Sequence, residues 1–357
     1  MKIESCFKGR NCFLKGCKWS PDGFCLLSNS EDNVLRLFEI AESVTKVASE
    51  EVLPVVIAKE GGTIYDFEWY SKMNSSDPIT CVFASTSQNS PIHLWDAYTG
   101  CLRATYQPIN QYDEVTAAYS LAFSPDGRKI YSGFKKVIRI FDVSLPGRVS
   151  EERNVKPKGE SVFQTSIISC ISINPVAPNI YALGSYDRTI GIYTEPKGEL
   201  QCLMKGHTGG ITEMKFSSDG VQLYSGGRKD SEIICWDLRN PGRIMCIMKR
   251  EVNTNQRIYF DLANEKPHLV TGSTDGRIII YDTTVLTEDK ETILEPVIAW
   301  KGHDDCVNGV SFHPFWPILA SSSGQYHQPE SETDDGESTP ESKVENSVKL
   351  WSIHLND

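Results

Sequence analysis

No stretch of this 357-residue chain approaches 18 consecutive apolar residues, so no membrane-spanning helix is expected. Its first residues, MKIESCFKGR, have no long apolar core and do not read as a secretory leader. The eleven cysteines contain no Cys-x-x-Cys pair, which argues against a zinc site or a disulfide framework. Most, including Cys81, Cys170 and Cys235, sit in strand-like runs and read as small buried apolar residues in a reducing compartment. No phosphate-cradling glycine loop, dinucleotide fingerprint, metal-ligand cluster or Gly-x-Ser-x-Gly elbow occurs. A non-enzyme without cofactor or metal is therefore expected. Positive charge is scarce too, with a net charge of −11. The deficit is local, however: Glu330–Glu345 holds seven carboxylates and one lysine, a net −6, which leaves −5 for everything else. A body of such mild charge can still present a basic patch.

What the chain does have is a short apolar strand ending in an aromatic residue, repeated seven times. It reads VLRLF (Val34–Phe38), PIHLW (Pro91–Trp95), VIRIF (Val137–Phe141) and TIGIY (Thr189–Tyr193). It continues as EIICW (Glu232–Trp236), RIIIY (Arg277–Tyr281) and SVKLW (Ser347–Trp351). Such a strand recurring every ~40–50 residues is the signature of a WD40 propeller with four strands per blade. The fold predicted is an all-β, seven-bladed ring forming one domain over residues 1–357, a natural size for a protein that adds core blade by blade. Each aromatic strand is strand c. A b strand ending in small residues precedes it, and before that comes strand a. Tight a–b hairpins are explicit at Ser20–Gly23, Ser124–Gly127 and Ser217–Gly220, where glycine accepts positive φ. Asp32, Asp187 and Asp275 sit in b–c turns, where a carboxylate bonds turn N–H groups.

No room remains after Ser347–Ile353 for a fourth strand in blade 7, so Met1–Phe7 is expected to complete it and close the ring. His207, Ser225, Asp230 and Trp236 of blade 5 resemble a catalytic triad. Their repeat-fixed positions mark them as structural, and Ser225 has no evident oxyanion hole. Blade 7 has the histidine, His303, but no equivalent aspartate. Successive strand-c aromatics lie 57, 46, 52, 43, 45 and 70 residues apart, and the long intervals mark insertions. These fall between Ala41 and Glu51, near Ser144–Gly159, and at 324–346. The last is acidic and reads as a disordered insertion within blade 7. Ser331, Ser338 and Thr339 in it are candidate phosphoacceptors; a solvated tether without regulation is the alternative.

The blade 6 approach departs furthest from the repeat. KREVNTNQRIYFDL (Lys249–Leu262) carries Arg250 and Arg257 with Asn253, Asn255 and Gln256. Cations suit phosphate, and amides can read base edges or carbonyls. Tyr259 alternates into strand a and reads as core. Arg228 and Lys229 in the blade 5 b–c turn would share a face with this loop, as would Lys135, Lys136 and Arg188 in blades 3 and 4. The alternative is that these cations simply occupy exposed turns.

FLKGCKWSPDG (Phe13–Gly23), TIYDFEWYSKM (Thr63–Met73), GRKDSEIICWDLR (Gly227–Arg239), REVNTNQRIYFDL (Arg250–Leu262) and CVNGVSFHP (Cys306–Pro314) resemble the telomerase Cajal body protein family, in order across essentially the whole chain. The resemblance implies a nuclear, Cajal body protein that binds the CAB box of small Cajal body RNAs and telomerase RNA. It implies H/ACA core proteins of the dyskerin class and coilin-like components as partners. On this reading the chain is a monomeric, non-catalytic scaffold. Arg228, Lys229, Arg250 and Arg257 would engage phosphate or guanine, and Asn253, Asn255 and Gln256 would read bases. The rival reading is a protein–protein scaffold, such as a ubiquitin-ligase adaptor or chromatin reader, without direct RNA contact.

Overall fold

The computed structural model is a seven-bladed β-propeller with no helix among its described residues, which are 2–3 (backbone only), 12–40, 52–155, 163–264, 266–284, 292–327 and 344–353. The strands lining the central channel, a, are Leu14–Trp19, Ile64–Trp69, Ser120–Phe123, Ile168–Ile173, Ile211–Phe216, Phe260–Leu262 and Val307–Phe312 in blades 1 to 7. The c strands are Val34–Glu39, Ile92–Asp96, Val137–Asp142, Thr189–Thr194, Glu232–Asp237, Arg277–Asp282 and Val348–Ser352. These seven are the aromatic repeats of the sequence. Closure follows the predicted route: Lys2–Ile3 pairs antiparallel with Val348–Ser352, with Lys2 opposite Lys349 and Ile3 opposite Val348.

The repeat's small and aromatic residues have one physical role. On strand b, Ser85, Ser225 and Ser321 are fully buried. Each hydroxyl accepts the indole N–H of its own blade's tryptophan, Trp95 at 2.7 Å, Trp236 at 2.7 Å and Trp351 at 2.8 Å. Only a small residue on strand b leaves room for the ring. The remaining apolar side chains form clusters between neighbouring blades, such as Leu27 and Leu37 of blade 1 against Phe67, Trp69 and Phe83 of blade 2. The blade 7–blade 1 seam is sealed by Leu14, Leu26, Phe38, Val348 and Leu350. Each such side chain, fully buried, contributes roughly 1.5–3 kcal/mol.

Blade 5 differs from the expected four strands. Thr292–Leu294 adds a fifth, parallel to Arg243–Lys249. The long connection between strands c and d of blade 6 supplies it. The Ser144–Gly159 region is only partly an insertion, since Glu151–Asn154 is strand d of blade 3. Ser331, Ser338, Thr339 and the centre of the acidic insertion lie outside the described residues. Both roots of that insertion are held: His327 Nε2 lies 2.6 Å from Asp305, and Glu345 binds His303.

Candidate nucleic-acid interface

The b–c turns share a face with the d–a loops because backbone bonds join them. The Gln88 N–H bonds the Thr63 carbonyl, Lys136 bonds Ser166, and Lys229 bonds Thr254. The turns of blades 1 to 6 each pass through a left-handed residue: Asn33, Lys136 (φ 64°), Arg188 (φ 71°) and Gly276 directly before strand c, Asn89 and Lys229 (φ 48°) three residues before it. Blades 1, 2 and 6 use asparagine or glycine, which suit that region. Blades 3, 4 and 5 instead place a long cation there, against the local preference. Lys135, Lys136, Arg188 and Lys229 are exposed, and none makes an ion pair among the described residues.

Three half-buried tyrosines stand on the same face. Tyr65 and Tyr119, where strands a of blades 2 and 3 begin, have ring centroids 5.2 Å apart. Tyr186 follows strand b of blade 4 and carries the Arg228 guanidinium 4.1 Å from its ring centroid. Burial raises the pKa of Tyr65, and the neighbouring Tyr119 and Tyr186 raise it further. Gly209 permits this packing: a Cβ there would lie 1.8 Å from the Arg228 carbonyl oxygen. Aromatic faces beside unpaired cations are the elements from which single-stranded nucleic acid sites are built. Sequence reasoning missed all three tyrosines. They lie on three different blades, and only the ring closes them into one group.

The Arg250–Leu262 segment is divided. Asn253 and Asn255 are exposed on the rim, and Asn253 Nδ2 donates to Glu251 at 2.8 Å. Gln256 is half-buried, and its Oε1 has no partner among the described residues. The two arginines are corrections to the predicted site. Arg250 is 4% exposed. Its Nη1 donates to the Ile258 carbonyl (2.9 Å) and to Thr271 Oγ1 (2.8 Å), beneath the rim. Burial pulls its pKa down to about 10. Arg257 reaches across the channel instead. It bonds Asp66 Oδ1 of blade 2 (2.9 Å) and the Ser169 carbonyl of blade 4 (2.8 Å). Neither guanidinium is presented to a ligand on the rim; Arg257 is an internal tie between blades.

The triad look-alike is structural. His207 lies 2.8 Å from Asp230 Oδ2 and 2.7 Å from Ser225 Oγ, and all are buried. Burial opposes ionisation of Asp230, but the bond to His207 and its charge hold the carboxyl at about 2. Blade 7 does have the acid the sequence failed to reveal. Glu345, at the C-terminal root of the insertion, lies 3.3 Å from His303 Nδ1 and accepts from the Asp304 N–H at 2.6 Å. Blade 2 builds a further variant, with Glu60 held by Ser85, Ser87 and His93.

These features define the class: a WD40 propeller whose tetrads serve the fold and whose loop face carries cations and aromatic rings. A profile for the WD domain, G-beta repeat, matches residues 1–39, 108–142 and 198–237, which include strands of blades 1, 3 and 5. The chain is 47% identical over 333 residues to telomerase Cajal body protein 1 of Rattus norvegicus, covering 92% of this chain and 62% of that protein. It is 45% identical over 352 residues to the Homo sapiens protein of that name (95% and 63%). It is 39% identical over 338 residues to the homolog from Drosophila melanogaster (88% and 57%). The chain belongs to the telomerase Cajal body protein family. It spans about three fifths of the length of these curated relatives.

Proposed function

We propose that this propeller is a non-catalytic RNA-binding scaffold that holds a short unpaired RNA segment on its b–c face. The RNA class is the CAB-box small Cajal body RNA and telomerase RNA, bound within H/ACA particles with dyskerin-class proteins. The setting is the nucleus, in Cajal bodies with coilin-like components, and the ring acts as a monomer. The names of its relatives support the setting. The carrying observation is the run of exposed cations at left-handed turn positions of three consecutive blades, beside the Tyr65, Tyr119 and Tyr186 rings. A backbone outlier retained against local preference marks a functional position better than exposure does. Lys135, Lys136, Arg188, Arg228 and Lys229 neutralise phosphates. The tyrosines stack bases, and Asn253 and Asn255 supply amides at the edge. The test is ultraviolet crosslinking of the purified protein to a CAB-box hairpin, followed by peptide mapping. Crosslinks are expected at Tyr65, Tyr119 or Tyr186. Crosslinking only when H/ACA proteins are added would overturn direct recognition and favour a protein–protein scaffold.

A further inference from the structure

On the opposite face, where the a–b hairpins lie, all seven blades line a funnel of about 460 Å³ that leads into the channel. Its inner charges are matched almost one for one. Lys18 Nζ lies 2.5 Å from Glu68 and 2.8 Å from the Phe67 carbonyl. Lys215 Nζ lies 2.6 Å from Asp261, whose other oxygen accepts the Phe312 N–H. Arg257 is taken by Asp66 deeper in the channel. Three cations thus meet three carboxylates, and Glu213 is left over. Its side chain lines the funnel, the residue is 8% exposed, and the carboxylate makes no hydrogen bond or ion pair among the described residues.

We propose that this funnel is a second binding site, which takes the guanidinium of an arginine side chain on a basic peptide segment and pairs it with Glu213. The site is short of one positive charge, which excludes an anion. A single free carboxylate is too few ligands for a metal ion, and no group of three metal-ligating side chains occurs among the described residues. Guanidinium is less strongly hydrated than ammonium, so it enters a confined site at lower cost, and its planar fork matches a carboxylate. The half-buried Ser172 hydroxyl on the funnel wall offers a further acceptor.

Proton linkage gives this site a signature. Burial raises Glu213 to about 7, with Arg257, Lys18 and Lys215 opposing the rise and Asp66 adding to it. The groups packed around it do not titrate there: burial pushes the Cys170 thiol and the Tyr259 hydroxyl upward, and Lys18 is held charged by Glu68 against the effect of burial. Glu213 is thus the group of this cluster that burial brings to neutrality, and its ionised form is the one that binds a cation. Affinity should therefore rise as pH rises from 6 to 8.

The experiment is fluorescence polarisation with a labelled Ala-Arg-Ala peptide, beside its norleucine counterpart and free arginine amide as competitor. Saturable binding is expected, about tenfold or more weaker for norleucine and for Glu213→Gln, and tightening about threefold or more between pH 6 and 8. Displacement by arginine amide supports a site for the side chain alone; its failure, with peptide binding intact, supports recognition of a peptide. Wild-type protein that binds both peptides equally, or with flat pH dependence, overturns the site even if Glu213→Gln fails to fold. Wild-type affinity in folded Glu213→Gln overturns it as well.

Discussion

Replacing Lys136, Arg188 and Lys229 together by asparagine should separate the proposed RNA binding from folding. At each position φ is positive, between 48° and 71°. A left-handed backbone costs an ordinary L-residue roughly 1–2 kcal/mol, and asparagine suffers less because its short polar side chain bonds locally. The triple variant should therefore be as stable as the parent, or more stable by roughly 0.5 kcal/mol per site. The effect on RNA has the opposite sign. Five cations, those three with Lys135 and Arg228, give a single strand a salt slope of about −3.5 at ~0.7 per phosphate contact. Between 50 and 200 mM salt the parent should lose about 100-fold in affinity. With two cations left the slope is about −1.4, and the same change of salt costs about sevenfold. The assay is hairpin binding across a salt series, with thermal unfolding in parallel. An unchanged slope refutes the cationic rim. A lower slope accompanied by a lower melting temperature refutes the claim that these residues serve binding rather than the fold.

Three further outcomes follow from the internal ties. Asp66→Asn should lower unfolding free energy by about 3 kcal/mol, because it strands the buried Arg257 charge, and should leave hairpin affinity near that of the parent; chemical denaturation and binding check the two halves. Asp230 is held at about 2 in the folded ring, below its ordinary 3.8. Its pairing with His207 thus contributes fully above pH ~4 and is lost as pH falls toward 2, by about 1–2 kcal/mol; His207→Gln should flatten that part of the stability–pH curve. Removing residues 1–7 should lower the melting temperature, since Lys2–Ile3 then no longer covers the edge of Val348–Ser352, and an unchanged melting curve contradicts that closure.

The fold was legible because its signal repeats. An aromatic c strand recurs in all seven blades, and in blades 2, 5 and 7 its tryptophan answers a small buried serine on strand b, so the signal survives lapses such as Leu183 at the corresponding place in blade 4. Ring closure was legible for a related reason: a blade short of one strand leaves an exposed edge, and Met1–Phe7 had no blade of its own. The tetrads were legible only where the order of residues is regular. Glu345 was missed because it stands at the far root of the insertion, 42 positions from His303. Glu60 was missed because its histidine, His93, sits on strand c rather than before strand a.

The proposed binding face was less legible, for a reason rooted in the topology. A propeller brings to one rim residues that lie far apart in the chain, so Tyr65, Tyr119 and Tyr186 carry no local pattern. The segment Arg250–Leu262 carries a strong one, and it misled for half of its length. A departure from the repeat marks where a blade does something unusual, yet the unusual thing is in part structural. Blade 6 enters its strand a with a long loop in place of the Gly-His approach. The segment therefore supplies its own ties, Arg250 to Thr271 beneath the rim and Arg257 to Asp66 across the channel. Those ties hold the loop so that Thr254 meets the Lys229 turn. On the proposed reading the two buried arginines would act on RNA only through the exposed residues they position, so charge in the sequence pointed in part to structural ties, and turn geometry carries the proposed site instead.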